Sequence, residues 1–161
     1  MRFETDAIEG VLVYPLTKRV DERGFLVETF RVYTLPEGLS PAMSYVSYTE
    51  PGIGRGPHEH KEQTDIFAFL GPGNFKICMW DNRPQSRTFG KKMIVFAGAD
   101  IPTMVLVPPG VVHAYRNISR IDRGMVLNYP DKLYAGWNKK EPVDEIRHED
   151  ANDHFYQDFE R

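Results

Sequence analysis

The feature that most constrains this chain is its punctuation. Short apolar, β-branched runs recur at 64–70, 74–81, 92–97, 102–107, 111–118 and 123–129, each closed by Gly, Pro, Asn or Asp. Runs of that length bounded by turn formers read as strands, and many of them at such regular spacing predict an antiparallel sandwich or barrel. The pattern begins earlier. Residues 10–16 read as a strand, with Pro15 marking an edge or an end. Asp21-Glu22-Arg23-Gly24 reads as a turn. Residues 25–32 form a partly alternating run that would place Glu28 on the face opposite Val27 and Thr29. The prolines and glycine of 35–42 predict a loop, and 43–49 another strand. After Pro130 the period is lost, and 152–161 reads as a short helix or an ordered tail. With no internal repeat and no break in composition, the 161 residues are most economically one domain, 1–161, with a sizeable core.

Composition excludes several classes of partner. A formal charge of −3 offers no basic face for nucleic acid or an anionic membrane. The apolar runs are too short to span a bilayer, and MRFETDAIEG has acids where a signal peptide needs bases and a hydrophobic block, so the expectation is a soluble cytoplasmic protein. The single Cys78 has no partner for an internal disulfide and reads as a small core residue.

The chemistry is concentrated in GRGPHEHKEQTDIFAFLGPG, residues 54–73. His58 and His60 are two apart, so on a strand they share a face. Asp65 stands at the mouth of the apolar run that follows. Downstream, PPGVVHAYRN at 108–117 supplies His113 and Asn117. The two stretches resemble the paired motifs of cupins, HxH with a later acid and PxGxxH with a later Asn, over roughly residues 40–130. The first motif has Asp65 where Glu is usual. That resemblance implies an all-β fold, a double-sheet (jelly-roll) barrel, here with a short C-terminal helical or irregular tail.

A second resemblance covers nearly the whole chain. DERGF at 21–25 with the trailing ETFR, GRGPH at 54–58, Asp81-Asn82-Arg83 followed by Thr88-Phe89-Gly90, and VPPG through His113 are similar in order to the dTDP-4-dehydrorhamnose 3,5-epimerase family. The resemblance implies metal-free, cofactor-free epimerisation of a dTDP-4-keto-6-deoxyhexose in carbohydrate biosynthesis, and a homodimer. In such chemistry a base removes a proton α to the ketone, the enolate oxygen is stabilised, and a proton returns from the other face. By resemblance His58 is the base, Asp150 its carboxylate partner, and Arg23, Glu28, Arg55 and His113 contact nucleotide and sugar. Two positions depart from the family. Its enolate-stabilising lysine falls near Asp65, and its tyrosine proton donor near Val126 or Leu127, with Tyr129 the nearest phenol.

The positions that depart have the character of metal ligands. His58, His60, Asp65 and His113 form a ligand set for a divalent ion such as Zn, Ni, Fe or Mn, which would act as a Lewis acid in place of the lysine. In that case the base would have to be another group, such as Glu59, Glu62 or Tyr129. The alternatives to the epimerase are therefore a metal-dependent cupin isomerase or oxygenase acting on a small polar substrate, and a catalytically silent sugar-binding cupin. Other residues read as structural. Phe67, Phe69, Phe75 and Trp80 are expected in the core, Arg83, Arg87, Lys91 and Lys92 on a solvated face, and His148 and His154 at the surface.

Overall fold

The structure, a computed structural model, describes residues 3–160. Its elements in chain order are β1 (Glu4–Thr5), β2 (Leu12–Pro15), β3 (Lys18–Asp21), β4 (Gly24–Val27), β5 (Tyr45–Thr49), β6 (Gly54–Glu59), β7 (Asp65–Phe69) and β8 (Asn74–Asp81). There follow β9 (Lys91–Gly98), β10 (Thr103–Val107), β11 (Val111–Asn117), β12 (Gly124–Asn128), β13 (Ile146–Arg147), α1 (His148–Ala151) and α2 (His154–Glu160). Two sheets form the barrel, one in the order β1-β9-β8-β11-β6-β13 and the other β2-β10-β7-β12-β5; β3 and β4 form a separate hairpin. All pairings but the short β1–β9 ladder are antiparallel.

The period of two along each strand decides what lies between the sheets. Phe67 and Phe69 of β7, Phe75, Ile77 and Met79 of β8, Val105 and Val107 of β10, Val111 and Tyr115 of β11 and Val126 of β12 form one buried cluster. Their neighbours of opposite parity build two outer layers. Cys78, Trp80, Val112 and Ala114 pack beneath Phe155 and Phe159 of α2. Ile66, Met104 and Leu106 pack with Leu35, Phe30 and Tyr129. The strands buried on both faces thus read as continuous apolar runs rather than alternating ones.

Most predicted elements form with ends moved by a residue or two, and the differences have local causes. The run at 25–32 stops at Val27, where Glu28 turns aside to accept from the Arg31 guanidinium, at 2.7 Å from Nε, and the chain enters a 3-10 turn at Val32–Thr34. Tail residues 148–160 form two helices laid over the first sheet. His148 is buried rather than superficial, because its Nε2 meets Glu59 Oε1 of β6 at 3.0 Å and its Nδ1 meets Asp153. Arg83 and Lys92 are likewise engaged: Arg83 Nε donates to the buried Asp81 at 2.8 Å, and the Lys92 ammonium meets Asp158 while lying 5.1 Å from the Trp80 ring centre. Cys78, Trp80, Phe67, Phe69 and Phe75 are core residues as expected, and His154 is exposed.

Candidate active site

A cavity of about 880 Å³ opens between the two sheets at the β6 end of the barrel. Its wall includes Tyr45 and Ser47 of β5, Arg55, His58 and His60 on and after β6, Phe67, Tyr115, and Arg147 of β13. This is the size range of small-molecule sites, and the lining mixes aromatic surface with a few polar groups.

Strand pairing gathers the histidines. His58 lies opposite His113 in the β6–β11 ladder, where a bulge follows between His113 and Tyr115. Gly56 makes the approach feasible. Its φ is +79°, and a Cβ there would stand 2.6 Å from the His113 carbonyl oxygen, so no other residue fits without displacing β11. Parity along β7 points Asp65 inward with Phe67 and Phe69. As a result His58, His60, Asp65 and His113 each offer a donor atom, all within 4.8 Å of one another. The rings of His58 and His113 are 4.3 Å apart, centre to centre, and those of His58 and His60 5.5 Å.

Neighbouring groups orient this cluster. His113 Nδ1 donates to the carbonyl of Val111 at 3.0 Å, and His60 Nδ1 donates to that of Asp144. Both rings then turn Nε2 toward Oδ2 of Asp65, each at 3.2 Å. The other carboxylate oxygen, Oδ1, accepts from Gln63 Nε2 at 2.9 Å and from Asn128 Nδ2 at 2.8 Å. Asn128 Nδ2 also donates to the Tyr45 hydroxyl at 2.8 Å. Asp144 holds the 61–63 loop in place, its carboxylate accepting from the backbone amides of Lys61, Glu62 and Gln63.

Electrostatics separate the roles. Burial, followed by the neighbouring His113, pushes the His58 pKa well below the ordinary histidine value, so His58 is neutral at neutral pH. Burial also opposes charge on His60, but Asp65 and the Asp144 carbonyl outweigh it and raise that pKa. Burial disfavours ionised Asp65, yet His113 and His60 more than offset it and keep the carboxylate charged. The Tyr45 phenol is pushed up to about 12, chiefly by burial, and stays protonated.

The remaining predicted site residues are spread out. Arg55 lines the cavity and is braced on β5, its Nε donating to Thr49 Oγ1 at 3.0 Å and its Nη2 to the Tyr48 carbonyl at 2.7 Å. Arg23 and Glu28 lie on and just after the β3–β4 hairpin, paired with Asp21 and Arg31, and neither lines the cavity. Asp150 is exposed on α1, and the carboxylate among the three imidazoles is Asp65. Tyr129 shares the outer parity of Leu127. Its ring packs 5.1 Å from Phe30, and its hydroxyl accepts from Thr29 Oγ1 at 3.4 Å. Glu59 points to the outer face, where Asn82 and His148 hold it. Sequence reasoning missed Tyr45, Gln63, Asn128 and Asp144. For Asn128 a signal existed, since it stands two residues after the inward Val126.

A cupin-type double-sheet barrel with an imidazole-walled cavity between its sheets defines a class, small enzymes that handle a polar substrate within a β-barrel. The chain belongs to the dTDP-4-dehydrorhamnose 3,5-epimerase family, whose model matches residues 5–143. It is 36% identical over 110 residues to the spore coat polysaccharide biosynthesis protein SpsL of Bacillus subtilis, covering 68% of this chain and 71% of that one. It is 33% identical over 128 residues to the probable low-salt glycan biosynthesis epimerase Agl13 of Haloferax volcanii, covering 79% and 81%. In fold it matches a dTDP sugar isomerase from Desulfovibrio desulfuricans, with TM-score 0.76, 21% identity and coverage of 87% and 84%. The protein is thus a sugar epimerase of carbohydrate biosynthesis. Among the described residues, no helix is long and apolar enough to cross a membrane.

Proposed function

We propose that this protein epimerises a dTDP-4-keto-6-deoxyhexose at a carbon next to the ketone, with His58 as the base that removes the proton. The observation that carries the proposal is a neutral imidazole on the wall of a sugar-sized cavity in a chain of this family. Proton transfer of this kind requires no redox cofactor. A base with a depressed pKa is a weak one, so the burden shifts to stabilising the enolate oxygen. Tyr45, a protonated phenol on the β5 wall, is suited to return a proton to the other face, a role for which Tyr129 stands on the wrong side of β12. Arg55, pre-positioned by β5, would grip the diphosphate through its planar fork, with the sugar directed toward His113.

Arg23 and Glu28 could join the substrate only from another copy of the chain. We infer a homodimer in which the β3–β4 hairpin of one protomer reaches the cavity of its partner, operating in the cytoplasm. Nuclear magnetic resonance of the keto-sugar nucleotide incubated with the protein tests the proposal. Inversion at C3, C5 or both is expected, and an unchanged sugar would point to a silent binder.

A further inference from the structure

Removing a proton next to a ketone leaves negative charge on the ketone oxygen, and that charge needs a positive partner. Beside the histidines the ionised group is Asp65, which has the wrong sign. Among the described residues, the arginines and lysines on the cavity wall are Arg55, Arg116, Lys139 and Arg147. Strand register separates them. Arg147 lies directly opposite His58 in the β6–β13 ladder, and opposed residues of an antiparallel pair leave the sheet on the same face, about 5 Å apart at Cβ. The adjoining pair, Glu59 and Ile146, has the other parity, and Glu59 is held on the outer face by Asn82 and His148. Arg55 stands farther along β6, opposite Tyr115, with two of its nitrogens bonded to β5. Arg116 alternates with the inward Tyr115; its Nη2 pairs with Glu160, and its guanidinium lies 5.0 Å from the Phe159 ring centre. Lys139 is exposed in the 3-10 turn Trp137–Lys139.

Local structure pre-positions the Arg147 guanidinium. Glu145, two residues earlier, shares its face, and Arg147 Nε donates to Glu145 Oε2 at 2.9 Å. Among the described residues, Nη1 and Nη2 have no hydrogen-bond partner and stay available to a ligand. The backbone is fixed on both sides. Ile146 and Arg147 pair with β6, and the next residue, His148, meets Glu59 of that strand through Nε2 at 3.0 Å. The charge also acts on His58: burial and His113 hold the His58 pKa down, and Arg147 adds to them.

We propose that Arg147 is a catalytic residue of the epimerisation, its terminal guanidinium nitrogens donating to the ketone oxygen and stabilising the enolate that forms when His58 takes the α-proton. This role rests on the epimerase reading and supplies the positive group that the enolate requires. The proton moves from carbon to the His58 imidazole, the C–H electron pair forms the carbon–carbon double bond, and the carbonyl π pair moves onto the oxygen that the guanidinium faces. Return of a proton to carbon reverses these shifts, so no oxidant or reductant is consumed. A guanidinium suits the task because it stays charged at every working pH and offers paired donors to one anionic centre. The charge that weakens His58 as a base thus stabilises the product of its action.

The test compares wild type with Arg147→Gln, Arg147→Lys and Arg147→Ala, reading deuterium uptake into dTDP-4-keto-6-deoxyglucose and, by calorimetry, the affinity for dTDP. Arg147→Gln should lower the saturating exchange rate by about 100- to 1000-fold, the usual loss when an oxyanion donor is removed. Its dTDP affinity and melting temperature should match those of the wild type. Arg147→Lys should recover part of the rate, and Arg147→Ala should be partly rescued by guanidinium ion at concentrations too low to unfold the protein, which a merely structural role would not allow. Should Arg147→Gln fold poorly, Arg147→Met, which keeps the apolar stem, gives the same comparison. A loss of dTDP affinity equal to the loss of rate would assign Arg147 to the diphosphate and overturn the proposal. Exchange undiminished in Arg147→Gln would remove the role of Arg147 and leave the epimerase standing, whereas no exchange in the wild type would remove both.

Discussion

At the residue scale two protonation states govern the proposed chemistry. His58 is neutral because burial and His113 depress its pKa, so activity that requires neutral imidazole should persist to pH values below the ordinary histidine range. The acidic limb of kcat/KM is accordingly expected below about pH 6.5, and a limb at or above that value would mean another group is the base. Tyr45→Phe should leave proton abstraction in place and slow formation of the inverted product by about 100-fold or more, which a comparison of exchange with product formation reads directly. The sequence reveals part of this site. His58 and His60 share a strand face by simple period, and Asp65 and His113 follow from spaced motifs. Tyr45 is invisible there because it joins the site only when β5 pairs with β12, which sets it opposite Asn128. Tyr129 looked suitable by position, but the same period that directs Val126 and Asn128 inward turns it outward.

At the element scale, turn residues and apolar runs were enough to mark most strands, because tight turns and doubly buried strands leave a clear local imprint. The C-terminal helices leave a weaker one. They are short, and they are held by contacts distant in sequence, such as Trp80 Nε1 donating to Asp158 at 2.8 Å and His148 bridging Glu59 and Asp153. Burial works against charge on His148, but the two carboxylates raise its pKa above the unfolded value. The stabilisation it gives is therefore fully present below about pH 6.5 and lost as pH rises through the raised folded value. We expect the melting temperature to fall across that window, and the fall attributable to this latch to vanish in His148→Gln. An identical pH profile in the variant would show that the latch does not depend on charge.

At the scale of the whole molecule, the hairpin is the unexplained part of an isolated protomer. Val20, Phe25 and Leu26 are 75, 55 and 63% exposed on two strands that belong to neither sheet, and a lone hairpin gains little stability on its own. A second copy would cover them and would bring Arg23 and Glu28 toward a site they do not reach at home. Sedimentation should show a dimer, and Phe25→Asp with Leu26→Asp should yield monomers that bind ligand poorly while their barrel melts as before; a monomeric wild type with full activity would refute the arrangement. Motif order and strand spacing identified the barrel and its family from sequence, whereas the hairpin's partner lies outside the reach of local pattern. The proposed epimerisation requires that His58 remove a proton next to a ketone. The direct measurement is deuterium uptake from heavy water into dTDP-4-keto-6-deoxyglucose, by wild type and by His58→Asn. Uptake at C3 or C5 that falls by about 100- to 10,000-fold in the folded variant is predicted; uptake undiminished by the substitution, or none in the wild type, would contradict the account.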